Sequence, residues 1–107
     1  MRYILMGHEP CHVVDMLAWV IWMGEHVEDR VVARDVLMPA GIIVSTVFLG
    51  LDHNWNLGRP MLFETMVFGG TMDKLLRRYE SWDTAVIGHA AILAAAMQAA
   101  ASQPTAS

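Results

Sequence analysis

The chain has 107 residues, 55% of them hydrophobic and 17% charged, with a formal net charge of -4. This length suits one domain, and the acidic balance excludes a duplex nucleic-acid binder, which would carry a basic face. A small anionic ligand is not excluded, because a few arginines can hold one phosphate locally. Few charges cover a large surface, so we expect apolar surface to be buried against further copies of the chain, as a homodimer or higher homo-oligomer.

The compartment prediction rests on cysteine usage and on the apolar runs. Cys11 is the single cysteine, so no internal disulfide calls for an oxidising compartment. The run 36–51 is uncharged but is broken by Pro39 and Gly41, and the run 84–107 is mostly alanine with polar residues. Neither run is typical of a membrane span. The opening residues also lack a signal-peptide pattern, so we expect a soluble, cytoplasmic protein.

The first elements in chain order are a short strand and a helix. Residues 2–6 are predicted to form a short strand that ends at Gly7 and the region of Pro10. Asp15 can cap a helix, because its carboxylate accepts hydrogen bonds from the amides of the next turn. The following segment, MLAWVIWMGE, is apolar on nearly every side, which predicts a helix covered on more than one face.

Three strand-like segments follow, at 30–38, 42–51 and 61–68. They are rich in β-branched and aromatic residues, and their short connections predict antiparallel neighbours in a meander. Within the third segment Glu64 and Thr65 interrupt an apolar run. One of these two side chains must therefore face solvent or a partner.

The last part of the chain predicts a second helix. Residues 71–80 form either a short helical turn or a mobile connection, and Ser81 is a candidate N-cap for a helix from about Trp82 to the late nineties. This order predicts an α+β fold: a three- to four-stranded antiparallel meander sheet with two helices packed on one face. We expect a single domain over 1–101 and a flexible tail over 102–107.

Three segments in order resemble a family of small phage and prophage proteins. They are VSTVFLGLDH (44–53), LFETMVF (62–68) and RYESWDTAVIGH (78–89), against the pattern VSTVxLGLDH, LFETMVF and RYxTWxxAxxGH. The likeness also covers the leading element 3–10 and a tryptophan-bearing helix. Ser81 departs from a threonine in the pattern, and the alanine-rich stretch that follows the third segment is also different. The resemblance implies a phage-borne accessory gene and no particular activity.

Motifs for metal binding and catalysis are weak. The residues that invite a zinc interpretation are His8, Cys11, His12 and His53, but their spacing is not a common structural zinc pattern. Ser45 lacks a nucleophile elbow, and the chain has no Walker loop and no Rossmann glycine fingerprint. We therefore predict no metal, no cofactor and no catalytic residue.

An enzyme would need four side chains from distant segments to converge: Asp52, His53, Glu64 and His89. Among them Asp52 and His53 could act together as an acid–base pair. The segment DHNW (52–55) that contains both residues is interpreted instead as a pocket rim or a subunit contact.

A binding module is better supported by the aromatic residues and arginines near loops and strand ends. The predicted ligand-binding residues are Asp52, His53, Trp55, Arg59, Phe63, Arg77, Arg78 and Trp82. In a nucleotide site Arg77 and Arg78 would pair with phosphate. Phe63 and Trp82 would stack on the base, and the loop 52–55 would close the pocket.

The sequence thus predicts a phage-encoded, non-enzymatic accessory protein. Its expected role is antagonism of a host defence, by sequestering a small, for example cyclic, nucleotide signal or by blocking a host defence protein. An oligomeric phage structural or assembly protein is the alternative, and a small enzyme using Asp52 and His53 comes third.

Overall fold

A computed structural model of the chain describes residues 1–52 and 58–102. Its elements follow the order β1 (Arg2–Met6), β2 (Glu9–Val13), α1 (Met16–Glu25), β3 (Val31–Leu37), β4 (Ile42–Phe48), β5 (Phe63–Phe68), β6 (Leu76–Tyr79) and α2 (Trp82–Ser102). Strands β1 and β2 form a separate antiparallel pair, and the other four form an antiparallel sheet in the order β3-β4-β5-β6. The predicted α+β fold with a meander sheet is confirmed.

Strand β4 shows why the sheet has one covered face. Its burial alternates residue by residue, with Ile42, Val44, Thr46 and Phe48 buried and the residues between them half-buried. Successive side chains of a strand point to opposite faces, so the buried set lies on one side. We call this side the inner face and the opposite side the outer face.

Helix α2 covers the inner face. Its buried residues Ala85, His89, Ile92 and Ala96 recur at the spacing of one helical stripe. Ser81 caps the helix, as predicted, because its Oγ accepts from the amide of Thr84 at 3.1 Å. Among the described helices, α2 is the one long and apolar enough, by length and composition, to cross a membrane.

Helix α1 begins as the sequence predicts, with Asp15 Oδ1 accepting from the amides of Leu17 and Ala18 at 2.9 and 3.4 Å. Its tertiary contacts are mainly with β1 and β2, and Trp22 reaches the ring of Phe48 at 6.1 Å. No residue of α1 is buried, and Leu17 is 67% exposed. The sequence predicted that α1 would be covered on more than one face, and the described part of a single chain does not provide this covering.

Two strands differ from the sequence interpretation. Strand β2 occupies residues expected to form a turn, and β6 lies where a helical turn or a mobile connection was expected. The sequence of β6, LRRY, lacks an apolar alternation, so only its pairing with β5 makes it a strand. At the C-terminus Ser102 ends α2, and the rest of the predicted tail lies outside the described residues.

The tight contact between Gly88 and Tyr79 gives a stability prediction. A Cβ at position 88 would overlap the ring of Tyr79, whereas nothing lies within 4 Å of a Cβ at Gly24 of α1. We expect Gly88→Ala to lower the free energy of unfolding by about 1–3 kcal/mol through overpacking. Gly24→Ala should raise it by up to about 1 kcal/mol through helix propensity. Urea denaturation of both variants checks this pair, and equal effects would contradict it.

Candidate functional site

An open groove of about 550 Å³ lies where three parts of the fold meet: the β1–β2 turn, the end of α1 and the start of α2. The side chains that give it chemical character are His8, Trp22, His26, Glu28, Asp29 and Trp82. We call it the Trp–His groove. It combines flat aromatic surfaces with carboxylates, the two features that recognise a charged or hydrogen-bonding planar group.

Two parallel tryptophan–histidine stacks contribute to the Trp–His groove. The rings of His8 and Trp82 lie 3.7 Å apart at 3°, and the rings of Trp22 and His26 lie 4.5 Å apart at 11°. Residues 22 and 26 are one helical turn apart, which places them on the same side of α1. His26 Nδ1 lies 2.8 Å from the Trp22 carbonyl oxygen and donates to it, so the orientation of this imidazole is fixed.

Both tryptophans are also anchored to the core. Trp22 meets Phe48 at 6.1 Å and 88°, and Trp82 meets Phe63 at 6.2 Å and 86°. These edge-to-face arrangements are favourable for aromatic rings. The walls of the groove are therefore attached to the sheet and do not depend on surface loops alone.

The charged side chains of the groove are acidic. Glu28 and Asp29 are exposed, and neither has a salt-bridge partner within residues 1–52 and 58–102. The neighbouring Arg30 is directed to backbone carbonyls, since its Nε and Nη1 each donate at 3.4 Å, to Phe48 and Met23 respectively. Partial burial lowers the pKa of the Arg30 guanidinium. No lysine or arginine of the described chain lines the groove.

The two arginines assigned to a phosphate lie on opposite faces of the sheet. Arg77 pairs in register with Thr65 on the inner face, whereas Arg78 pairs with Glu64 on the outer face. Arg78 Nε also donates to Glu64 Oε2 at 3.0 Å. The sheet therefore does not place the two arginines on one face beside a common phosphate, because neighbouring strand residues alternate between faces.

Phe63, which the sequence predicts to stack on a ligand, is completely buried in the core. Its ring packs between those of Phe48 and Trp82, at 5.3 and 6.2 Å. From the sequence Phe63 was expected near the end of a strand. Only the folded sheet shows that this end lies beneath α2. Trp82 does reach a groove, in partnership with His8 and not with the predicted loop.

Two of the remaining predicted residues, Arg59 and Asp52, do not line this groove. Arg59 is exposed, and its Nη1 lies 3.5 Å from Glu80 Oε2. Asp52 is half-buried, and its backbone amide donates to the Met1 carbonyl at 3.0 Å. His53 and Trp55 lie outside the described residues.

A polar network that is buried except at Asp35 joins α2 to the sheet. His89 Nε2 donates to Asp35 Oδ2 at 2.7 Å, and His89 Nδ1 lies 2.7 Å from Thr46 Oγ1. The Thr46 hydroxyl is also hydrogen-bonded to that of Thr65, its partner in the β4–β5 register. In the neutral imidazole Nδ1 accepts from Thr46, which then accepts from Thr65, so every member has a partner. We call these four residues the His89 network.

The His89 network has the order carboxylate, imidazole and hydroxyl that nucleophilic enzymes use. Thr46 and Thr65 are each 0% exposed, however, so no substrate can reach either hydroxyl. Glu64 lies on the outer face and His89 faces the inner one, so the four-residue convergence needed for an enzyme does not occur. The network is a structural tie between helix and sheet.

The three segments that carry the phage resemblance supply one member of this network each. They are Thr46 from VSTVFLGLDH, Thr65 from LFETMVF and His89 from RYESWDTAVIGH. These segments therefore supply the tie between helix and sheet, and the third segment also supplies Trp82 of the groove. The groove was missed because His8 and Trp82 are far apart in sequence. The four-residue spacing of Trp22 and His26 was the one feature of the sequence that could have indicated the groove.

Comparison with family models, with curated proteins and with solved structures gave no match to this chain. Within the part of the chain that the structure describes, no three His, Cys, Asp or Glu side chains lie close enough to hold a metal ion.

Removing one hydroxyl tests the His89 network. Thr46→Val keeps the shape of the side chain but leaves His89 Nδ1 and the Thr65 hydroxyl without their partner, so we expect a loss of about 1–3 kcal/mol in unfolding free energy. Ser45→Ala, on the outer face of the same strand, should change it by less than about 0.5 kcal/mol. Chemical denaturation measures both, and an unchanged Thr46→Val midpoint would contradict the structural role.

Proposed function

We propose that this chain is a non-enzymatic binding protein and that the Trp–His groove is its ligand site. The observation that carries the proposal is the pair of tryptophan–histidine stacks beside the carboxylates of Glu28 and Asp29, which form no salt bridge with any residue that the structure describes. Ligand sites combine apolar or aromatic walls with a few placed polar groups, and this groove has both. An enzyme is less well supported, because the two hydroxyls and the imidazole of the His89 network are buried.

The biological role that fits such a site is antagonism of a host defence in the cytoplasm by a phage-borne accessory protein. The resemblance in sequence supports the phage origin. Of the two targets expected from the sequence, a host protein suits the groove better than a nucleotide signal does. A nucleobase could stack on the tryptophan–histidine pairs, but the two carboxylates would repel its phosphates.

Self-association is part of this proposal. The outer face presents apolar side chains, of which Val36, Phe68 and Leu76 are 51%, 46% and 41% exposed. A second copy that covers these side chains would remove this surface from water. The same surfaces favour the second candidate function, an oligomeric structural or assembly protein.

Native mass spectrometry tests the binding role directly. We expect the full chain, purified from a bacterial host with an active nucleotide-signalling defence, to retain a ligand or partner at a fixed ratio. His8→Ala, which removes one stack, should reduce this retention several-fold. His12→Ala is the matched control, because His12 is exposed on β2 and does not line the groove. Equal retention by the two variants would contradict the assignment of the groove.

Charge substitutions on the outer face test self-association. We expect the wild type to be at least dimeric, and Val36→Glu or Phe68→Glu to shift it towards the monomer, because a buried unpaired charge is costly. Ile87→Glu, on α2 and 70% exposed, is the control for a charge placed on another apolar surface. Light scattering after gel filtration gives the mass of each species. A monomeric wild type would contradict self-association.

A further inference from the structure

We propose that the Trp–His groove recognises a guanidinium group. This inference rests on the proposed function, since it names the chemical class of ligand for the same site. A guanidinium is planar, permanently charged and weakly hydrated, so it can stack on an aromatic ring while its N–H groups bind a carboxylate. The groove presents both kinds of surface within one space of about 550 Å³.

The charge of the groove selects a cation. Glu28 and Asp29 line it, and the described residues give neither carboxylate a salt bridge. Arg30 is the nearest cation in sequence, but its guanidinium donates to the carbonyls of Met23 and Phe48 and is not among the lining groups. Among the described residues, none of those that line the groove is a cation, and Arg34 lines an adjoining pocket together with Glu28. The groove itself therefore presents negative charge.

The aromatic walls select a planar cation over a compact one. Cations are attracted to the faces of tryptophan rings, and arginine is the more frequent partner because its flat group also stacks. Trp22 and Trp82 both line the groove, and each meets a buried phenylalanine ring in a perpendicular arrangement. An ammonium could use the carboxylates but would gain less from these flat surfaces.

The guanidinium can come from a small molecule or from an arginine side chain of a protein. In both cases the recognised chemistry is the same: a fork of N–H donors for the carboxylates and a flat face for the rings. A phosphate-bearing nucleotide is the ligand that this inference excludes from the groove.

Titration of the full chain with N-acetyl-arginine methylamide tests the inference. Binding is followed by the indole N–H NMR signals of Trp22 and Trp82, assigned with single phenylalanine substitutions. We expect these two signals to shift on titration, and N-acetyl-citrulline methylamide, the neutral isostere, to bind at least about fivefold more weakly. The double variant Glu28→Gln with Asp29→Asn should weaken arginine binding by a similar factor. Glu25→Gln, an exposed acid at the end of α1 that does not line the groove, should leave it unchanged.

Further titrations distinguish the two sources of the guanidinium, and they separate a failure of this inference from a failure of the proposed function. Free arginine binding as well as the blocked derivative indicates a small-molecule ligand, whereas binding only of arginine within a tripeptide indicates a protein side chain. Equal affinity for arginine and citrulline, or tighter binding of adenosine 5′-monophosphate at the same indoles, would overturn the guanidinium inference and leave the groove as a ligand site. If no probe shifts these indoles and His8→Ala retains as much ligand as His12→Ala, the proposed function itself fails.

Discussion

The hydrogen bonds of His89 hold the fold together at its centre. One imidazole nitrogen bonds Asp35 on β3, and the other bonds Thr46 on β4, which bonds Thr65 on β5. A buried polar group is costly unless it has partners, so this arrangement strongly favours one position of α2 along the sheet. The helix surface is otherwise small and apolar, and alanines alone would specify its position poorly.

The position of α2 in turn places the groove. With His89 fixed, Gly88 lies against Tyr79, and Trp82 at the start of the helix meets Phe63 and His8. The second wall depends on α1, whose Trp22 reaches Phe48 on the same inner face. The groove is thus assembled from three elements that the core holds at fixed positions.

A single chain leaves much apolar surface exposed to water. Helix α1 has no buried residue, and the outer face exposes large apolar side chains. Exposed apolar patches on a protein surface often mark sites of association, which is why association with further copies belongs to the proposal.

The sequence by itself determined most of the elements, because their signals are local. The Asp15 and Ser81 caps and the alternation of β4 need only neighbouring residues, and they were predicted correctly. It also determined that one of Glu64 and Thr65 faces outward, and Glu64 does, paired with Arg78.

Only the tertiary structure decided which side chains meet. Strand β6 exists because β5 offers it a partner, and the alternation along β6 separates Arg77 from Arg78. Phe63 is buried because its strand end lies beneath α2, and His8 meets Trp82 although they are far apart in sequence. Contacts of this kind depend on how elements pack, and a local pattern of residues carries no information about distant partners.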